Sequence, residues 1–404
     1  EIAISASSGA MLTRFDLAVE ANNIIPLEES YEDIDIDDEE EQVIRDLASS
    51  KNMLDTIVKS IAPSIWGHSE VKKALALQLF GGVKKTRSDG TPMRGDIHML
   101  LVGDPGVAKS VMLSFIASVA PKARYVSGKS STGAGLTATV VKDEFLKGWS
   151  LEAGAMVLAN KGIVCIDEFD KMNEEDRSTM HEAMEQQTVT ISKATVQATL
   201  RSQTSVLAAA NPKFGRFDPT QSIPKQVNLA PSLLSRFDAI FIMRDIPSKT
   251  RDEAIAMHVL SEHQQNVSRN VIEKELLRKY ASYAKQKYDP KLTNEAVMIM
   301  KDFYVGLRNQ TQMGDSSNRP IPIGARQLEA LVRLAEAHAR MRLSKKVEKK
   351  DAEIAIALVK GYLMQVGYDE ETGTIDIDKI TGTSSSQRTK ISQVREAIES
   401  LENR

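Results

Sequence analysis

The stretch that decides the fold is Ile97-His98-Met99-Leu100-Leu101-Val102-Gly103-Asp104-Pro105-Gly106-Val107-Ala108-Lys109-Ser110. An apolar run of strand character enters a glycine-bearing loop, and an apolar helical segment continues through residue 120. Glycines let the backbone turn until successive N–H groups face one point, and the helix that follows adds its positive end. Such a loop cradles phosphates. Asp104, Pro105, Gly106, Val107 and Ala108 form the cradle, Lys109 reaches the β- and γ-phosphates, and the Ser110 hydroxyl holds Mg²⁺. The predicted cofactors are therefore ATP and Mg²⁺. One position departs from the usual pattern, because Ala108 stands where the loop normally carries glycine.

Working outward, short apolar runs at 97–102, 123–126, 163–166, 206–210 and 239–242 alternate with helical segments. That rhythm predicts an α/β domain, a phosphate-loop core on a five-stranded parallel sheet. After Pro247 the strands stop. Residues 251–364 carry helical periodicity, broken at Asp289-Pro290 and around 314–322, which predicts an α-helical lid domain. The expected organisation is an upstream end and acidic linker over 1–45, the α/β core over 46–247 and the helical domain over 248–365. A linker over 366–386 and the start of another domain over 387–404 complete it. Residues 32–41 read as a solvated acidic linker.

Two further strand ends belong to the same chemistry. The run Gly162-Ile163-Val164-Cys165-Ile166 delivers Asp167-Glu168. Asp167 is placed to hold the metal through water, and Glu168 to orient and deprotonate the attacking water. The run Ser205-Val206-Leu207-Ala208-Ala209-Ala210 delivers Asn211, whose amide suits a contact to both the γ-phosphate and that water. Arg236 precedes the last strand, too far along the sheet for its own phosphate loop but suited to a neighbour's. A trans-acting arginine is worth roughly 10³–10⁵ in rate. Arg326 lies in the first turn of a helix, where a cation opposes the helix dipole, so an anion is its expected partner.

Composition sets outer bounds. A formal net charge of −3 gives no overall basic footprint, so any nucleic-acid contact must be local. The only cysteine, Cys165, excludes a disulfide framework within these residues. No apolar run approaches a membrane span. The absence of a signal pattern after Glu1 suggests a piece of a longer protein.

Taken in order, these elements resemble the AAA+ ATPases, and more closely the minichromosome maintenance (MCM) replicative helicases, of archaeal type. The resemblance rests on Ile65-Trp66-Gly67-His68, the helix from Lys72 to Gly82, Arg94-Gly95-Asp96-Ile97-His98 and the loop at 103–110, in which Ala108 is that family's form. It continues through Cys165-Ile166-Asp167-Glu168-Phe169-Asp170-Lys171-Met172, Ala209-Ala210-Asn211-Pro212 and Leu234-Ser235-Arg236-Phe237-Asp238. It implies that Arg236 is an arginine finger and Arg326 a second sensor acting in trans. Arg94 and Gln186 match further trans positions, and Ser64, Ile65 and Trp66 the segment that packs on adenine. It also implies a homo-hexameric ring with DNA, single- or double-stranded, in its channel. A replication loader or accessory factors would be partners, in the cytoplasm of an archaeal cell or in a eukaryotic nucleus. Residues 1–25 would end an N-terminal DNA-binding domain, and 387–404 would begin a winged helix.

Residues 188–198 alternate strictly and predict a β-hairpin with Lys193 at its tip. A second hairpin insertion is expected over 137–153, with Lys147 at its turn. In the helicase reading both lysines face DNA phosphates. Two other readings share the nucleotide site: an AAA+ remodeller of protein, like a chelatase or chaperone ring, and a non-hydrolysing ring scaffold.

Overall fold

The computed structural model describes residues 2–4, 11–15, 31, 34–129, 133–143, 148–193, 196–213, 215–218, 226–227, 229–264, 271–309, 323–366, 368–369 and 374–375. Its centre is a sheet of β1 (Met99–Gly103), β2 (Arg124–Ser127), β3 (Ile163–Asp167), β4 (Ser205–Ala210) and β5 (Ala239–Met243). The spatial order is β5-β1-β4-β3-β2 and every pairing is parallel. The five-stranded parallel core expected from the apolar runs is the one observed. Each strand begins or ends within two residues of its run.

Every residue of β1 and β4 is buried, as a strand covered on both faces must be. Alternation divides their side chains between two apolar layers. Met99, Leu101, Leu207 and Ala209 join the layer continuous with the helical domain. Leu100, Val102, Val206 and Ala208 join the opposite one. β1 lies between β5 and β4, so its C-terminal end opens where the strand order reverses, the usual ligand crevice of such sheets.

The helices that position the site are α1 (Ser69–Phe80), α2 (Lys109–Val119), α3 (Glu174–Gln186) and, in the helical domain, α4 (Ala325–Met341). Three more helices, Lys274–Lys287, Asn294–Asn309 and Lys349–Val366, complete that domain among the described residues, and the helix Lys249–His263 follows β5 ahead of them. It docks on the core through apolar packing, with Phe80 and Tyr280 edge to face at 5.1 Å. Charged groups fix the seam. Arg340 Nη1 donates to the carbonyls of Phe80, Gly81 and Gly82 at 3.2, 3.1 and 2.9 Å. Glu336 accepts from the Val83 amide and pairs with Lys85.

Both hairpins are present. Ala138–Asp143 pairs antiparallel with Gly148–Ala153, and Thr188–Lys193 with Val196–Arg201. Lys193 is opposite Val196 at the end of the ladder, while Lys147 lies outside the described residues. The expected winged-helix start at 387–404 also lies outside them, as does most of 366–386.

The acidic run corrects its expectation. Its last four residues, Asp38 to Glu41, open a helix that runs to Ser49, while 34–37 are neither helix nor strand. Asp37 and Glu40 form a reciprocal capping box, and acids in the first turn suit the positive end of the helix. Ile44 is buried, and Glu40 pairs with Lys279 at 2.6 Å.

Candidate functional site

The phosphate loop is built by close backbone passage. A side chain at Gly103 would overlap the Met243 carbonyl of β5, so only glycine lets β1 and β5 run together there. Gly106 and Ala108 both adopt left-handed backbone, with φ of 86° and 64°. Ala108 keeps the glycine-type turn at a cost of roughly 1 kcal/mol. The turn delivers Lys109 as the first residue of α2. Its ammonium is buried and donates to the carbonyls of Gly103 and Asp104 at 2.6 and 2.7 Å. Burial pushes the Lys109 ammonium down, and Asp167, Asp104 and Asp170 oppose that.

Asp104 was expected in the cradle, but its carboxylate faces the protein. It accepts from the amides of Phe217 at 2.8 Å and Asp245 at 3.0 Å, clipping two loops to the crevice. Its main-chain N–H donates to the Met243 carbonyl at 3.1 Å. Ser110 is exposed at the mouth.

Asp167 ends β3. Its two carboxylate oxygens accept from the Glu168 amide at 2.8 Å and the Tyr125 hydroxyl at 2.9 Å. Burial, then the bond to Asp167, pushes the Tyr125 phenol up to about 12. Glu168 is left-handed, with φ of 50°, and its carboxylate accepts from the Ser127 hydroxyl at 3.2 Å. A non-glycine residue strained in this way is held by its surroundings and marks functional turns. Asn211 leaves β4 with its amide N–H donating to Asp170 at 3.0 Å. Lys109, Asp167, Glu168 and Asn211 thus occupy ends of neighbouring strands or the turns that follow them. The exposed Ser110 hydroxyl and the Asp167 carboxylate, in an acid-rich crevice, fit the oxygen ligands of Mg²⁺, which takes one or two protein groups and keeps its waters.

Ile65 and Trp66 line a cavity of about 810 Å³ with Pro63, Gly67, Lys72 and His258. The His258 ring bonds the Pro63 carbonyl at 3.2 Å, tying this segment to the helix Lys249–His263. Ser64 is exposed beside it.

The four trans candidates converge elsewhere. Arg94, Gln186, Arg236 and Arg326 line one cavity of about 290 Å³, and none of them bonds a phosphate-loop residue. Arg94 donates to Asp238 at 3.0 Å and to the Arg236 carbonyl at 3.3 Å. Arg236 pairs with Glu185. Arg326 donates to the same carboxylate at 2.8 Å and to the Ser235 hydroxyl at 3.0 Å. Beneath them Arg333 of α4 donates to the buried Asp238 at 2.6 Å. Three guanidinium nitrogens on this face, Arg94 Nη1, Arg236 Nε and Arg333 Nε, are buried with no hydrogen-bond partner. Orphaned cationic donors are costly and mark a place for an anion.

Comparison with known proteins bears on this geometry. Residues 40–263 match the MCM P-loop domain, and residues 275–363 the MCM AAA-lid domain. The chain belongs to the MCM family. It is 47% identical over 388 residues to the minichromosome maintenance protein MCM of Saccharolobus solfataricus, covering 96% of this chain and 56% of that protein. It is 43% identical over 361 residues to DNA replication licensing factor MCM4 of Arabidopsis thaliana, covering 88% of this chain and 43% of that protein. To mcm5-A of Xenopus laevis it is 44% identical over 328 residues, covering 79% and 44%. The chain spans about half the length of the MCM relatives it matches. The resemblance found in the motifs is therefore a family membership, and the mixed α/β core with its lid is that family's pair of domains.

Sequence reasoning passed over Glu185, Asp238 and Arg333. Asp238 stands two residues past Arg236, and Arg333 falls two helical turns after Arg326, so helical spacing carried a usable signal for the latter. Glu185 carried none, because its partners are 51 and 141 residues away in the chain.

Proposed function

We propose that this chain is the ATP-hydrolysing motor of a replicative DNA helicase that works as a homo-hexameric ring. ATP is held between subunits, and the subunits grip DNA in the channel. Lys109 and the loop amides bind the phosphates. Ser110 and Asp167 hold the Mg²⁺, which neutralises charge on the β- and γ-oxygens. Glu168 takes a proton from the attacking water, and Asn211 orients that water. Arg236 and Arg326 of the adjoining subunit, with Arg94 and Gln186 beside them, stabilise charge that develops on the transferred phosphoryl group. Ile65 and Trp66, with Ser64, pack on the adenine. Lys193, and Lys147 on the other hairpin, contact DNA phosphates, and a loader or accessory factor opens the ring.

The observation that carries this reading is the separation of two incomplete sets. The phosphate loop has acids and one lysine but no arginine, while the arginine face has orphaned cationic donors and no phosphate loop. Each completes the other only across a head-to-tail interface.

The test is subunit mixing. Arg236→Ala and Lys109→Ala proteins should each hydrolyse ATP at a small fraction of the normal rate. Mixed, they should recover part of it, because some interfaces then pair an intact loop with an intact arginine. No recovery would overturn the trans assignment. Stimulation of the normal protein by DNA separates a helicase motor from a remodeller of proteins.

A further inference from the structure

Glu185 sits in the last turn of α3, where a carboxylate meets the negative end of the helix dipole and no basic residue of that turn offsets it. Its position is explained instead by two guanidinium groups from different domains. One carboxylate oxygen pairs with Arg236 of the core and the other with Arg326 of the lid. Partial burial raises the Glu185 carboxyl, and the two arginine charges more than offset that, so it stays ionised. We infer that Glu185 is a resident anion that parks Arg236 and Arg326, and that it must release them to the γ-phosphate of a neighbouring subunit before hydrolysis. The inference rests on the trans role proposed above and adds the element that withholds it.

Geometry makes the release feasible. Glu185 is 46% exposed and Arg326 51%, so that contact is open to a competing anion, while Arg236, 19% exposed, is reached through the shared carboxylate. Exposed ion pairs of this kind are individually weak, and a phosphate offers more charge and more acceptor oxygens than a carboxylate. The pairs beneath are different. Arg333 and Asp238 are buried, Arg94 is 17% exposed, and their mutual bonds involve neither Glu185 nor Arg326.

The same helix end also holds a hairpin. Gln187 turns the chain in a left-handed conformation, and Thr188 opens the strand that carries Lys193. One turn before Glu185, the Glu182 carboxylate accepts from the Thr190 hydroxyl at 2.7 Å. A force on the hairpin therefore reaches the residue that holds both arginines. DNA bound to the hairpin would loosen the hold of Glu185, and hydrolysis would follow DNA engagement.

Steady-state ATPase of the assembled protein, measured against ATP concentration with and without a single-stranded oligonucleotide, tests this. Glu185→Gln keeps the shape and removes the charge. It should lower KM for ATP and raise DNA-free kcat, each by roughly three- to tenfold, the size expected from losing one exposed ion pair and one partly buried pair. The stimulation factor should shrink toward one. Glu185→Asp keeps the charge and should retain most of the stimulation. A Glu185→Gln protein with higher KM and lower kcat would overturn the inference, since the carboxylate would then be orienting the arginines productively. So would an unchanged stimulation factor. Arg236→Ala, run alongside, separates the levels. If it leaves turnover intact, the trans reading itself fails. If it abolishes turnover while Glu185→Gln changes nothing, only the parking role fails.

Discussion

At the scale of single residues, the chain accepts strain and burial where chemistry needs them. Ala108 and Glu168 are both non-glycine residues in left-handed backbone, one on each side of the crevice. In the lid, Asp351 is fully buried yet ionised. It accepts from His338 at 2.6 Å, from Arg342 at 2.8 and 2.7 Å, and from the Glu348 amide at 2.7 Å. Burial alone would raise its pKa, but the hydrogen bonds from His338, Arg342 and Glu348 win and hold it at about 2. A folded value below the ordinary 3.8 stabilises the fold above that pH, and the contribution is lost as pH falls from about 4 toward 2. Asp351→Asn should therefore cost about 2 kcal/mol at pH 7 and flatten the acid limb of the melting-temperature profile. An acid limb equal to that of the unaltered protein would show the cluster to be neutral. At this scale the sequence was informative about placement wherever a candidate residue sits at the end of its own strand. The loop, Asp167-Glu168 and Asn211 were legible because the turn after a buried strand is local chemistry. Arg94 and Gln186 were reachable only by resemblance, since nothing beside them in the chain reports an anion.

At the scale of elements, periodicity located the strands and helices and was silent on their orientation. β1 and β4 are apolar throughout, so their runs hide which side chains face the lid layer and which the opposite one. The acidic segment shows the opposite failure. Its charge density argued for solvated linker, while Asp37 and Glu40 at capping spacing already encoded the start of a helix. Charge that looks repulsive in a linear reading becomes favourable at a helix N-terminus. The hairpin Thr188–Lys193 with Val196–Arg201 was legible in full, since strict alternation and a polar turn define one. Lys193→Ala should collapse the ratio of DNA unwound to ATP hydrolysed, measured by strand displacement alongside phosphate release. Unwinding at the normal ratio would remove Lys193 from DNA contact.

At the scale of the whole molecule, the core and lid are locked by charges that the chain buries in pairs. Arg333 is 4% exposed and Asp238 3%, and Arg94 joins them from the loop before β1. Arg333→Ala would leave the buried Asp238 with Arg94 as its one cationic partner, beside the His98 amide that donates to its other oxygen at 2.8 Å. Breaking a buried pair in this way costs roughly 3 kcal/mol, which calorimetry would register as a fall in Tm of several degrees. A Tm unchanged within a degree would mean that Arg94 and the His98 amide together satisfy Asp238. None of this seam was visible in the sequence, because its partners are separated by 95 and 144 residues and each is an ordinary surface residue type. The Arg340 contacts carry the point further. The carbonyl of Phe80, the last residue of α1, and those of the two glycines after it are bonded by a side chain from the lid. A helix that supports the phosphate-loop sheet is thus finished by a residue about 260 positions downstream, and a core freed of its lid would fray from that end. The two domains are separate by pattern and matched by separate family descriptions, yet this seam should make them unfold as one cooperative unit, which a single calorimetric transition would show and two separated transitions would refute.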